Sequence, residues 1–184
     1  DAYPGGTSDR IIELTGIEAF GNLQFLMLDG HAIVDLQPLE ALSSLDRLYL
    51  GNNDIGDISS VAVLTGLREL QLHGQWEPLD LSYLAGLTNL THLNLGANTI
   101  PDVSQLAVLT NLEELAMIDA GIVTGVADLV TLTNATSIDL SGSGNSGIPV
   151  TDLDTLEAAL GPGIASRPPA DVTPPGEVLS LAAT

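Results

Sequence analysis

An apolar pattern recurs about every 22 residues over most of this 184-residue chain. Leu45, Leu67, Leu90 and Leu112 begin four successive copies, and in each copy apolar residues follow three and five positions later. A fixed period of this length is typical of chains that coil into a solenoid, because a single unit cannot bury its own apolar side. The sequence therefore predicts stacked units that share one continuous core.

Within one unit the spacing of the apolar residues changes. Leu48 and Leu50 are two positions apart, as in a β-strand, whereas Ile58, Val61 and Leu64 are three apart, as in a 3₁₀ turn. We therefore expect every coil to contribute one short strand to a parallel sheet and one 3₁₀ turn to the opposite side.

The segments DGHAIVDLQPLEALSSL, NNDIGDISSVAVLTGL and ANTIPDVSQLAVLTNL resemble the 22-residue leucine-rich repeats of bacterial internalins. The resemblance covers residues 11–160. It implies an α/β solenoid, a right-handed coil with a parallel β-sheet on the concave face and 3₁₀ turns on the convex face. It further implies a secreted or surface-attached bacterial protein that binds a protein partner on the sheet.

The repeats depart from the family pattern at the slot where an asparagine amide normally bonds the turn backbone. In this chain the slot holds His31, Asn53, Gln75, Asn98, Ala120 and Ser143. Only two of the six units keep asparagine.

The two ends of the chain differ in composition from the repeats. We assign residues 1–10 to an N-terminal segment, the remnant of a cap, and residues 11–160 to the repeat domain, which ends in a degenerate capping repeat. Residues 161–184 are rich in proline, which favours an extended linker. The ending DVTPPGEVLSLAAT resembles the first strand of a fibronectin type III domain. We expect a short helix, N-capped by Thr151 or Asp152 and ended by Gly161, to cap the repeats.

Side chains alternate along a strand, so positions three, five and seven of each unit face away from the core. In register they form three rows. The first row is Phe25, Arg47, Glu69, His92, Glu114 and Ser137. The second row is Met27, Tyr49, Gln71, Asn94, Ala116 and Asp139, and the third row is Asp29, Gly51, His73, Gly96, Ile118 and Ser141.

A cluster of large side chains on two adjacent strands is the best candidate for a binding site. Aromatic and arginine side chains are enriched in binding hot spots. The predicted partner-binding residues are Phe25, Met27, Arg47, Tyr49, Glu69, Gln71, His73, His92 and Asn94. The alternating charges of the first row have two interpretations, mutual salt pairs or a pH-sensitive binding strip.

The charge balance excludes several classes of partner. The chain has 24 acidic residues, four arginines and no lysine, with a formal net charge of −20 and a pI near 4.1. Such a chain cannot neutralise a row of phosphates, so we expect neither nucleic acid binding nor membrane insertion. The absence of cysteine excludes thiolate chemistry.

No catalytic motif is present, so we expect no enzyme activity, cofactor or metal site. The acids that recur before the 3₁₀ turns are Asp35, Asp57, Asp80 and Asp102. One carboxylate per unit is spread too widely for a calcium site, whereas a capping role explains the recurrence.

These observations predict a non-catalytic, monomeric protein-recognition module that is extracellular or on the bacterial cell surface. A structural spacer in a multidomain adhesin is one alternative. A carbohydrate-binding module using Tyr49 and Trp76 is another.

Overall fold

The computed structural model describes residues 10–75, 77–122 and 124–168. Within these residues the chain forms one parallel sheet whose strands follow in sequence order. The strands are β1 (Phe25–Met27), β2 (Arg47–Tyr49), β3 (Glu69–Gln71), β4 (His92–Asn94), β5 (Glu114–Ala116), β6 (Ser137–Asp139) and β7 (Ala165–Ser166). Trp76, most of the N-terminal segment and the fibronectin-like ending lie outside the described residues.

Short 3₁₀ turns alternate with the strands along the chain. They span Ile17–Ala19, Gln37–Ala41, Ser59–Val63, Leu81–Leu84, Ser104–Val108, Val126–Thr131 and Ser143–Asn145. The order confirms the predicted leucine-rich repeat solenoid, with the sheet on the concave face and the turns on the convex face.

The core lies between the sheet and the turns and runs through the whole stack. The central residue of each strand from β2 to β6 is buried, as Leu48, Leu70 and Ile138 illustrate. On the opposite side Val61 and Leu106 of the turns are also completely buried. Each fully buried side chain of this size contributes about 1.5–3 kcal/mol relative to an exposed one. The alternation of strand and turn is therefore fixed by the shared core.

Buried side-chain amides connect successive coils. The Nδ2 group of Asn53 donates to the carbonyl oxygens of Leu28 (2.7 Å) and Leu50 (2.9 Å), and its Oδ1 accepts from the amide of Ile33 (3.1 Å). Asn98 donates to carbonyls in the same way. These bonds satisfy backbone groups that would otherwise be buried without a partner.

The amide bonding is not confined to the two units that keep asparagine in this slot. Gln75 donates to the carbonyl of Leu50 at 2.9 Å, so the longer glutamine side chain serves as well as asparagine. Near the end of the stack Asn145, and not Ser143, forms the equivalent bond: its Nδ2 group donates to the carbonyl oxygen of Met117 at 2.6 Å. The Gly- and Ser-rich insertion there moves the amide two residues along the chain.

Carboxylates begin the 3₁₀ turns, as predicted. The Oδ1 atoms of Asp35, Asp57, Asp80 and Asp102 accept backbone amide protons two residues later, at 2.8–3.0 Å. Hydrogen bonds from the backbone amides of Ser59 and Ser104 lower the pKa values of Asp57 and Asp102. Hydrogen bonds from Ser82 lower the pKa of Asp80; the bond from the serine side chain has the larger effect and the bond from its backbone amide the smaller.

The helix at the end of the repeats, α1 (Val150–Leu160), begins earlier than the sequence suggested. Pro149 is its N-cap and no side chain caps it, so the prediction of a Thr151 or Asp152 cap was wrong. The carbonyl oxygen of Pro149 accepts the backbone amides of Asp152 at 3.0 Å and Leu153 at 3.3 Å, so the first helical hydrogen bonds start from this residue. Gly161, with φ of 112°, follows the last residue as predicted.

Strand β7 extends the sheet within the segment that the sequence assigned to the linker. Ala165 pairs with Ile138 of β6, in parallel. Arg167 then connects this strand to α1, because its Nη2 lies 2.9 Å from Asp154 Oδ1 and 2.6 Å from Glu157 Oε2. Helix and strand thus close the described end of the core together. No helix within the described residues has the length and apolar character needed to cross a membrane.

Candidate recognition surface

The predicted first and second rows exist in the sheet. Pairing along the first row follows Phe25, Arg47, Glu69, His92, Glu114 and Ser137, and along the second Met27, Tyr49, Gln71, Asn94, Ala116 and Asp139. A constant step between coils therefore brings eight of the nine predicted binding residues onto two adjacent rows, with His73 in the third.

An aromatic pair and an arginine form a compact patch on β1 and β2. The rings of Phe25 and Tyr49 meet edge to face, with centroids 5.1 Å apart and planes at 75°. The guanidinium carbon of Arg47 lies 4.6 Å from the centroid of the Phe25 ring, within cation–π distance. Phe25 is 38% exposed and the neighbouring Met27 is 57% exposed. This patch therefore offers apolar surface to a partner.

The neighbouring charges Arg47 and Glu69 do not satisfy each other. The hydroxyl of Tyr49 donates to Glu69 Oε2 at 2.6 Å, and this hydrogen bond raises the pKa of Tyr49. Among the described residues, no carboxylate lies within ion-pair distance of Arg47. The guanidinium lies over the Phe25 ring instead, where its charge interacts with the aromatic face. Mutual pairing along the first row is thus limited to His92 and Glu114, at 3.9 Å.

The third row is not a continuous projecting surface, because Gly51 and Gly96 are buried. The His73 ring lies over Gly51, in space that a Cβ atom there would need. Its Nε2 is 3.2 Å from Asn52 Nδ2, while its Nδ1 is buried with no hydrogen-bond partner among the described residues. His73 therefore lies on the predicted face but is partly covered.

Two carboxylates outside the predicted set stand in the same rows. Glu114 continues the first row on β5 and Asp139 continues the second row on β6. The sequence placed both in the predicted rows but not among the predicted binding residues, because single acids are common in a strongly acidic chain. No group of three or more metal-ligating side chains comes together in the part of the chain that the structure describes.

No protein-family model and no curated protein matches the chain. Solved structures do. An internalin from Listeria monocytogenes, InlF, is 34% identical over 82% of this chain, with a TM-score of 0.68. Internalin C2 from the same organism is 27% identical over 86% of this chain, with a TM-score of 0.62.

A more distant likeness is to the ectodomain of the Arabidopsis receptor kinase HAESA, solved in complex with a peptide hormone. It is 23% identical over 68% of this chain, which corresponds to 23% of its own length, with a TM-score of 0.57. At this identity the likeness shows the fold alone.

The lengths covered differ between the two internalins. The chain spans 43% of the length of InlF and 76% of the length of internalin C2. Repeat length, strand and turn order and similarity to both proteins agree with one another. The chain is an internalin-like leucine-rich repeat protein.

Proposed function

We propose that the concave sheet binds a protein partner, with Phe25, Met27, Arg47 and Tyr49 at the centre of the contact. The rest of the surface is Glu69, Gln71, His73, His92 and Asn94. The observation that carries the proposal is the exposed edge-to-face pair of Phe25 and Tyr49 beside a stacked arginine. Clusters of exposed aromatic and arginine side chains are typical of binding hot spots.

The side chain of Tyr49 in this patch is already held in place before a partner binds. Tyr49 contacts the Phe25 ring on one side and donates to Glu69 on the other. Strand β2 is itself paired on both edges, with β1 and β3. Tyr49 therefore loses little rotational freedom on binding, which lowers the entropic cost.

The fold gives further support. Internalin-like repeat folds are generally non-catalytic and serve recognition through an extended concave surface. In the HAESA complex, the same fold holds a peptide ligand. The resemblance to internalins supports a location outside the bacterial cell or on its surface, as part of the same proposal.

Selection from a library of displayed random peptides tests the proposal even though the partner is unidentified. Enriched peptides are measured against the wild type, Tyr49→Ala and Arg47→Ala. Loss of a hot-spot side chain is expected to weaken binding by about tenfold or more. Tyr83→Ala and Arg68→Ala are matched controls, since Tyr83 lies on a 3₁₀ turn and Arg68 lies outside the rows, beside Asp46. Both controls are expected to bind within about twofold of the wild type.

Two outcomes contradict the proposal. Equal affinity of all four variants would show that the peptides bind elsewhere. Failure to enrich any peptide above the level of uncoated support would favour the structural spacer.

A further inference from the structure

Along its first two rows, the sheet face is apolar at one end and acidic at the other. We propose that it binds an extended segment that carries an aliphatic or aromatic anchor and, four to six positions away, basic residues. This inference rests on the proposed function and specifies the chemistry of the partner.

The apolar end lies on β1 and β2. Met27 and Phe25 are the exposed apolar groups there, and the aromatic edge of Tyr49 adjoins them. The one arginine of the rows, Arg47, stands at this end and already stacks on Phe25. The apolar end thus provides a platform for an apolar side chain, with guanidinium N–H donors at its border for the backbone carbonyls of a partner.

The acidic end lies on β5 and β6. The side chain of Glu114 is 63% exposed, and the basic group near it is His92, at 3.9 Å. Asp139 uses Oδ1 to accept the amide of Ser141 at 3.0 Å, which leaves its second oxygen for a partner. No lysine or arginine stands in the rows at this end.

The other carboxylates of the rows, Asp29 and Glu69, lie at the end that carries Arg47. Glu69 accepts the hydroxyl of Tyr49, and Asp29 Oδ1 accepts the amide of Gly51 at 2.6 Å. Glu114 and Asp139 are therefore the acids of the rows that have no arginine of the rows beside them. The net charge of −20 adds long-range attraction for such a partner.

The distance between the two ends sets the spacing in the partner. Neighbouring strands are about 4.8 Å apart, so three steps from β2 to β5 span about 14 Å and four steps to β6 about 19 Å. An extended peptide advances about 3.3 Å per residue. A segment that crosses the strands therefore reaches Glu114 and Asp139 with side chains about four to six residues beyond its anchor.

Titration of the ¹⁵N-labelled protein with two synthetic peptides tests the inference. One is acetyl-Phe-Gly-Ser-Gly-Ser-Arg-Arg-amide, and the other has glutamate in place of both arginines. We expect the arginine peptide to shift the amide signals of β1, β2, β5 and β6. Its affinity is expected to be at least about tenfold higher than that of the glutamate peptide and to fall as salt is added.

The double variant Glu114→Gln with Asp139→Asn is expected to remove most of that preference. Asn94 shows that an amide oxygen can hold the same turn, since it accepts the amide of Gly96 at 3.0 Å, so the variant keeps the backbone intact. The control is Glu40→Gln with Asp128→Asn, which changes the net charge equally but lies on the 3₁₀ turns. The control is expected to keep the preference.

Two results overturn the inference: a glutamate peptide that binds as well as the arginine peptide, or no shifts on the rows with the arginine peptide at millimolar concentration. Either result is compatible with selected peptides whose affinity still falls in the Tyr49→Ala variant. In that case the proposed recognition surface is retained, and its partner is not basic. Loss of the Tyr49 dependence would instead reject the recognition surface itself.

Discussion

Single buried side-chain amides form hydrogen bonds that join neighbouring coils. Asn53 is completely buried and joins four backbone groups that belong to two coils. Because these carbonyls and amides lie inside the stack, water cannot replace a lost partner. The cost of removing one such side chain is therefore that of leaving several polar groups unsatisfied.

We expect Asn53→Ala to lower the free energy of unfolding by about 2–4 kcal/mol, because each orphaned buried group costs about 1–3 kcal/mol. Urea denaturation followed by circular dichroism measures the change. Asn111→Ala is the matched control, since Asn111 is exposed and makes one bond, to the Thr88 carbonyl at 2.8 Å. Its expected cost is about 0.5–1 kcal/mol. Equal losses for the two variants would show that burial of the amide is unimportant.

The position of side chains on the sheet was predictable, but their choice of partner was not. A constant coil length places Phe25 beside Arg47 and Tyr49 beside Met27, and the register confirms both. Charge alternation suggested that Arg47 pairs with Glu69. Tyr49 offers Glu69 a hydroxyl and Phe25 offers Arg47 a ring, and a one-dimensional pattern does not rank such competing contacts.

At the scale of the element, the 3₁₀ turns depend on ionised aspartates. In the folded state, hydrogen bonds stabilise the ionised carboxylates of Asp57, Asp80 and Asp102. Their pKa values are therefore lower than in the unfolded chain. Their contribution to stability is complete above the unfolded pKa, which is about 3.8. It is lost as the pH falls through the lowered pKa values.

The variant with all three residues changed, Asp57→Asn, Asp80→Asn and Asp102→Asn, is expected to lose less stability than the wild type between about pH 5 and pH 3. Asparagine keeps an oxygen for the turn amide but has no charge to lose. Urea denaturation at each pH measures the difference. Glu13→Gln with Glu40→Gln and Asp128→Asn controls for net charge. Should the wild type and the Asp57 triple variant respond alike to pH, the caps do not depend on charge.

The end of the repeats shows where element prediction failed. Two-residue β7 has too few residues to show alternation, and the proline-rich composition around it indicates a linker. The strand forms because β6 offers an unpaired edge and because Arg167 binds carboxylates of α1. Both causes are tertiary contacts, which a local pattern does not contain.

The whole molecule carries a large excess of negative charge, with 24 acidic residues against four arginines. Mutual repulsion of this kind destabilises a compact state and is screened by salt. Charge repulsion therefore lowers the stability of the folded stack, and burial of the apolar core must offset this loss.

Raising sodium chloride from about 20 mM to about 200 mM is expected to raise the melting temperature, because the shorter screening length weakens the repulsion. Differential scanning calorimetry measures the shift. A variant with Glu40→Lys and Asp128→Lys, both on 3₁₀ turns, reduces the net negative charge and is expected to show a smaller shift. Destabilisation by salt, or identical shifts for the two proteins, would contradict a dominant role for repulsion.

The order of the strands also has a consequence for how the proposed surface opens. In a stack of this kind each coil is stabilised by its immediate neighbours, and β1 pairs with β2 alone among the described strands. Hydrogen exchange should be faster in β1, which has one strand neighbour, than in β2, which has two, so local opening of β1 would displace Phe25 and Met27 while β5 and β6 keep their shape. A ligand bound to Phe25 and Met27 would then slow hydrogen exchange in β1, although it contacts only one face of that strand.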